Sequence, residues 1–337
     1  MWSSFYDDFI SLSKPRLVGS TEQAVTALFK LLGWIFAEEG EKAKPFDLNC
    51  SALGVIFDLG PASSGKALVC NTESRRIELC EDIEKVILAG CLTNKQAQRL
   101  RGTMQFAESQ LFGRTGIRCL RVLSDFAEGR RFALTSKDKF FLRIFCNLLE
   151  KNIPRKVSAL GSENVLVFTD ACYEPGHAEW PCGLGGVPFA CGKVFFYSLP
   201  VGAEIRTLLG EGVKKQIIFE VEALAALLAA LLWKTFFGNK RVVLFVDDEG
   251  TKFALLKGLS DNLCVDAMAE KFACLESELH TLIWIARVPS KSNVADPPSR
   301  GAISNPVLAN ATDMSSVALE LLTGIITQIF NVGETAA

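Results

Sequence analysis

The chain has 337 residues, of which 49% are hydrophobic and 22% charged, with a net charge of −2. Those proportions exclude a disordered or fibrous chain and leave room for two or three globular domains. The longest charge-free apolar run, residues 223–233, is shorter than the ~20 residues a membrane span needs. The N-terminus also lacks the basic-then-apolar pattern of a signal peptide, so a cytoplasmic or nuclear location is expected. Eleven cysteines include no CxxC pair, and His177 and His280 are the only histidines. No zinc ligand set assembles at familiar spacing, and free thiols in a reducing compartment are expected.

In chain order, residues 5–12 read as a β-hairpin around Asp7 and Asp8. Residues 21–39 carry Ala24, Leu28, Leu31 and Leu32 on one helical face. Residues 52–60 read as a strand, with further strands at 66–70 and 76–79. The stretch GPASSGKA (60–67) matches a phosphate-binding loop only in its glycines and lysine. Ala67 stands where Ser or Thr would ligate Mg²⁺, and no helix pattern follows, so a hairpin turn is expected. Thr93 and Gln96 form a capping box for a helix from Asn94 to about Leu111. Helices at 115–128 and 136–151 follow, closed by Asn152-Ile153-Pro154. From Thr93 to Lys156, 14 Lys and Arg face five Asp and Glu, a local charge of +9 against −11 elsewhere. A basic block of this kind suits a polyanion partner, although a solvated helix face has the same composition.

Beyond Pro154 the pattern changes. NVLVFTDAC is a strand ending in Asp170, and CGLGGVPFA and GKVFFYSLP read as two strands around a glycine turn. A helix is expected over 218–237, a strand in RVVLFVDD, two helices over 249–279, a strand at 279–288 and a last amphipathic helix at about 313–331. The order βββαβααβα predicts an α/β domain. Leu166, Phe168 and Asp170 share one strand face, as do Val243, Phe245 and Asp247. On parallel neighbouring strands both acids emerge at the carboxyl edge, where open α/β sheets keep their sites. Two like charges at about 5 Å cost roughly 3 kcal/mol at an effective dielectric near 20, a penalty a divalent cation removes. Glu222 opens a helix whose next positions on its own line, Ala226 and Ala229, allow close packing on the sheet. Glu220 lies about 200° away and is expected to face solvent. Asp296, before Pro297 and Pro298, suits a helix start.

These pieces together resemble a known family. Residues 164–301 are similar to the ribonuclease H domain of retroelement polyproteins, in VFTDA, FEVEALAALLAALLW, VVLFVDDEGTKFALLKG and RVPSKSNVADPPSRG. The phrasing looks most like DIRS-type retrotransposons. Upstream, FYDDF resembles the catalytic hairpin of a reverse transcriptase palm. LLGWIFAEEGEKAKPF and SALGVIFDL resemble the palm helix and primer-grip region, and LRGTMQFAESQLFGR the thumb–connection segment. Two departures stand out. The polymerase's third aspartate and fingers would lie upstream of Phe5, so Asp7 and Asp8 read as relics of a truncated polymerase site. No histidine lies between Trp284 and Arg300, where many ribonucleases H carry one. Asp248 stands where asparagine is more usual, which leaves the register between Asp247 and Asp248 open.

The resemblance implies a partial palm over 1–80, a helical basic thumb/connection over 81–157, a ribonuclease H-like domain with a five-stranded mixed sheet over 158–305, and a helical tail over 306–337. It implies a nuclease that cleaves the RNA strand of RNA–DNA hybrids with two Mg²⁺ (or Mn²⁺) held by Asp170, Glu222, Asp247 and Asp296. Arg114, Arg118, Arg121, Arg155, Lys156, Lys291 and Arg300 are the expected contacts to nucleic acid. A full-length polymerase subunit is a further expected partner, and no membrane is. The rival reading is a nucleic-acid-binding remnant that has lost catalysis. A sugar-kinase-like ATPase would need two such domains and glycine-rich phosphate loops, which are absent.

Overall fold

A computed structural model describes residues 2–5, 8–37, 45–158, 163–238 and 240–330. The chain divides into two compact units: residues 1–111 with 132–160, and residues 112–131 with 161–337. Asp7 lies outside the described residues.

In the first unit, β1 (Trp2–Phe5) and β2 (Asp8–Ser11) pair antiparallel with Phe5 opposite Asp8. Asp8 thus begins a strand. Helix α1 (Val18–Leu31) follows. The expected single strand at 52–60 is instead a hairpin of β3 (Asn49–Ala52) and β4 (Val55–Asp58). Its turn is Leu53-Gly54, both at positive φ (55° and 72°). That two-residue turn matches the twist of the strands it joins. The segment Gly60–Ser64 joins β4 to the antiparallel β5 (Lys66–Asn71), a hairpin connection. The expected strand at 76–79 is wrong: those residues lie within α2 (Glu73–Ala89). There Leu79, Ile83 and Ile87 recur every four residues and are buried, so the helical period decides. Helix α3 (Asn94–Glu108) starts at the Thr93/Gln96 capping box.

The segment 112–131 groups with the second unit and forms α4 (Thr115–Arg121) and α5 (Ser124–Ala127). The chain then returns to the first unit through α6 (Ser136–Lys151), capped by Thr135 and Asp138. Asn152 ends α6 in the left-handed conformation, and β6 (Arg155–Ser158) completes the sheet β3-β4-β5-β6.

The second unit is mixed α/β. Its strands are β7 (Asn164–Tyr173), β8 (Cys182–Ala190), β9 (Lys193–Pro200), β10 (Arg241–Val246), β11 (Ile283–Arg287) and the two-residue β12 (Thr312–Asp313). The sheet order is β11-β10-β7-β8-β9-β12. It has six strands rather than the expected five, because β12 adds in parallel to β9. Strands β7, β10 and β11 run parallel, and β7, β8 and β9 form an antiparallel meander. An unanticipated short helix, α7 (Ala203–Leu209), precedes α8 (Ile218–Leu232). Then come α9 (Glu249–Lys257), α10 (Leu263–Leu279), the one-turn α11 (Asp296–Ser299) and α12 (Ser315–Phe330).

Helix α8 is the centre of the core. Residues 221–230 are all buried, and α8 packs against β7, α10 and α12. Ala318, Leu322, Ile325 and Ile326 of α12 belong to the same core cluster as Val165, Val167 and Leu228. The stretch expected as a separate tail is therefore part of this unit. No helix among the described residues is long and apolar enough to cross a membrane.

Candidate metal centre

Strands β7 and β10 run side by side with Phe168 opposite Phe245, whose rings stack at 4.5 Å. Two residues further along stand Asp170 and Asp247, on the same side as those rings. Asp247 lies just past the end of β10, whereas Asp170 is not the strand end expected from sequence: β7 runs on to Tyr173 because β8 continues to pair with it. Helix α8 lies against β7 and brings in Glu222, its fifth residue. One carboxylate oxygen from each of Asp170, Glu222 and Asp247 lies within 4.8 Å of the others.

Asp170 is 2% exposed. Its Oδ1 accepts from Asn293 Nδ2 (3.0 Å) and its Oδ2 from Ser299 Oγ (2.6 Å). Glu222 Oε1 accepts from the Ala171 N–H (3.1 Å), while Oε2 is buried without a partner. Asp247 Oδ2 accepts from Ser290 Oγ (2.8 Å). Burial, followed by the neighbouring charges of Asp247 and Asp296, pushes the Asp170 carboxyl up to about 7 against the lowering effect of Ser299. Burial, then the charges of Asp170 and Asp247, raises Glu222 well above the usual carboxylate range.

The other sequence candidates fall elsewhere. Asp248 caps α9, its Oδ2 accepting from the Thr251 N–H at 2.5 Å. Glu220, expected in solvent, is 2% exposed. Its carboxylate takes a hydrogen bond from Asn262 Nδ2 (2.6 Å) and pairs with Lys214; the α10 side of the unit covers that face. Asp296 is not one of the converging three. It accepts from Arg300 Nε at 3.0 Å, and Arg300 also pairs with Glu174. Lys291 is exposed in a short turn after β11. Arg155 and Lys156 lie on β6 of the first unit.

Besides Arg300, three of the arginines expected on nucleic acid are used within the chain. Arg118, 7% exposed, donates to both carboxylate oxygens of Asp266 (3.1 and 3.0 Å), to Glu270 (3.1 Å) and to the Gly258 carbonyl (2.6 Å). Arg114 pairs with the buried Glu276 and donates to the Ile283 carbonyl (2.9 Å). Arg121 pairs with Asp261. They fasten α4 to α10 and its flanking turns. A charge count along the chain registers such a cluster as a basic block, because the acids that match it lie some 140–170 positions away in sequence.

Asn293, Ser299 and Ser290, which donate to the acids, carry no signal in the sequence: in SKSNVADPPSR the charges and the two prolines stand out, and neutral polar residues do not. The glycines of β8 were read only as strand residues. Gly185 stands opposite Asp170, and a Cβ there would lie 2.4 Å from the Ser299 nitrogen and 2.5 Å from the Ala295 carbonyl oxygen. One Cβ at Gly183 would lie 2.2 Å from the Ser299 carbonyl oxygen. The missing side chains let α11 press against the strand beside Asp170.

No protein-family model matches the sequence, and no curated protein matches it. Among solved structures, a foamy viral protease–reverse transcriptase in complex with double-stranded DNA is similar at a TM-score of 0.38 and 12% identity. The match covers 85% of this chain and 46% of that one, so this chain spans less than half of its length.

Proposed function

We propose that this protein is a ribonuclease H-type endonuclease that hydrolyses the RNA strand of RNA–DNA hybrids with divalent cations. The observation that carries the reading is the meeting of Asp170, Glu222 and Asp247 in one cluster, the first two buried and Asp247 half-buried, with Glu222 Oε2 left without a partner. The side-chain donors that touch these carboxylates are neutral: Asn293, Ser299 and Ser290. Neutral donors orient a carboxylate but do not compensate its charge, and buried like charges persist only with a cation or a proton. An all-oxygen donor set suits a hard cation, Mg²⁺ or Mn²⁺. The sheet supports the same reading: with the antiparallel meander on one side of β7 and two parallel strands on the other, Asp170 stands beside the carboxyl end of β10, where Asp247 follows.

Asp170, Glu222 and Asp247 would hold the ions. Bound there, divalent cations supply water activation and stabilisation of the leaving oxygen in phosphodiester hydrolysis. The chain's own residues do the rest. Asn293 and Ser299 hold Asp170, and Ser290 holds Asp247. Lys291, exposed in the unit that carries the cluster, is the proposed contact to substrate phosphates, which position the duplex without reading its sequence; Arg300 is already paired with Asp296 and Glu174. Selection of RNA over DNA would rest on the 2′-hydroxyl. One observation favours the rival, a binding remnant: Asp296, expected as a fourth ligand, is tied to Arg300. Incubating the purified chain with a labelled RNA–DNA hybrid, with and without Mg²⁺, separates the two. Cation-dependent release of short RNA fragments is expected, and an intact but bound hybrid would favour the remnant.

A further inference from the structure

Both oxygens of Asp170 are engaged by one short stretch of chain, the turn between β11 and Arg300. Asn293, 4% exposed, spans two acceptors with a single amide: Asp170 Oδ1 at 3.0 Å and the Thr169 carbonyl at 2.9 Å. It therefore holds the backbone and the side chain of β7 together. Ser299, fully buried, has two acceptors in reach of its hydroxyl, Asp170 Oδ2 at 2.6 Å and the Asp296 carbonyl at 2.8 Å. A hydroxyl has one proton, and the nearer, ionisable acceptor is the better one.

The direction of that hydroxyl is set from outside the cluster. The Ser299 carbonyl receives Trp180 Nε1 (2.7 Å) and Cys172 Sγ (3.0 Å), and the Pro298 carbonyl receives Ser198 Oγ (2.6 Å). A helix of only four residues has little rigidity of its own, so these bonds and the bare backbone of Gly183 and Gly185 fix where Ser299 points.

We infer that Asn293 and Ser299 are positioning residues of the metal centre: each takes one lone pair of one Asp170 oxygen, and together they set the plane in which that carboxylate faces Glu222 and Asp247. The inference rests on the metal-centre reading above. A carboxylate oxygen has two lone pairs, so one on each oxygen stays free for a cation. Losing either donor lets the carboxylate rotate, and the cation then has to order it on binding. Outer partners of this kind are worth about 10–100-fold in metal affinity.

The test is calorimetric titration of the full-length protein with Mn²⁺, for wild type, Asn293→Ala, Ser299→Ala and Ser299→Thr, each first shown to be folded by circular dichroism. The expected result is Mn²⁺ affinity about 10–100-fold weaker in both alanine variants, with Ser299→Thr within about threefold of wild type because its hydroxyl is kept. If wild type binds Mn²⁺ and both alanine variants bind equally well, the positioning role is overturned. The same follows if Ser299→Thr is as weak as Ser299→Ala, since packing and not the hydroxyl then decides. If wild type itself binds no Mn²⁺, it is the metal-centre reading that fails. Should Ser299→Ala not fold, Asn293→Ala alone decides.

Discussion

At the scale of residues, two adjacent aspartates take opposite jobs. Asp247 faces Asp170 and Glu222, and Asp248 turns away to cap α9. Asp247→Asn keeps the shape and removes one charge, so hybrid cleavage is expected to fall at least about 10²-fold, the usual scale for losing one charge-stabilising group. Asp248→Asn keeps an equally good helix cap and is expected to cost less than about 0.5 kcal/mol and little activity. Single-turnover cleavage assays of the two variants check this, and inactivity of Asp248→Asn alone would reverse the assignment. The protonation of Asp170 adds a second expectation. Its folded-state value, about 7, lies above its ordinary 3.8, and Glu222 moves in the same direction. The folded metal-free protein therefore binds more protons than the unfolded chain between about pH 4 and 7, and its stability falls as pH rises through that window. The contribution is on the order of a few kcal/mol. Urea denaturation in the presence of a chelator should show the metal-free protein more stable near pH 5 than near pH 7.5, with added Mg²⁺ reducing the difference.

At the scale of elements, close approach and ion pairing decide what a strand or helix can carry. In β8, Gly185 admits the backbone of α11 beside Asp170. Gly185→Ala sets a methyl group against backbone atoms that cannot swing aside. Overpacking of this kind costs about 1–3 kcal/mol, and the displaced turn should weaken Mn²⁺ binding as well. Chemical denaturation and Mn²⁺ titration of the one variant measure both, and a variant matching wild type in each would show that α11 shifts freely. Helix α4 gives the complementary case. Arg118→Ala strands Asp266 and Glu270 and opens the bond to Gly258. Breaking a buried pair costs about 3–5 kcal/mol. Asp266 and Glu270 retain water contact (26% and 49% exposed), so about 2 kcal/mol is expected here, measured by the same denaturation. The salt dependence of hybrid binding should stay unchanged in this variant, because the guanidinium is already engaged.

For the whole molecule, the two units differ in what they hold. The converging acids lie in the second unit, and a ligand that binds only the folded form stabilises that form. Mn²⁺ at about 100 times its dissociation constant should raise the stability of the second unit by about 2.7 kcal/mol. A calorimetric scan should then show one transition that moves with Mn²⁺. No movement at saturating cation would count against the cluster as a cation site.

The sequence by itself determined the local periods and the chemistry of the strand ends. Period-two alternation in VLVFTD and VVLFVD put an aspartate on the same face of each of two strands, and α8 was legible from its apolar run and its line of alanines. A capping box marked the start of α3 because such signals are local, carried by neighbours three positions apart. What joins distant positions was decided only by the tertiary structure. Glu220 is buried where Asn262 and Lys214 cover it, Asp296 pairs with Arg300 and is not among the three acids that converge, and the basic residues of α4 meet acids far along the chain. Asn293 and Ser299 are ordinary polar residues until β7 lies beneath them, and a glycine in β8 reads as a weak strand position until α11 needs the space. Periodicity records the face on which a side chain lies, and only folding supplies what that face meets.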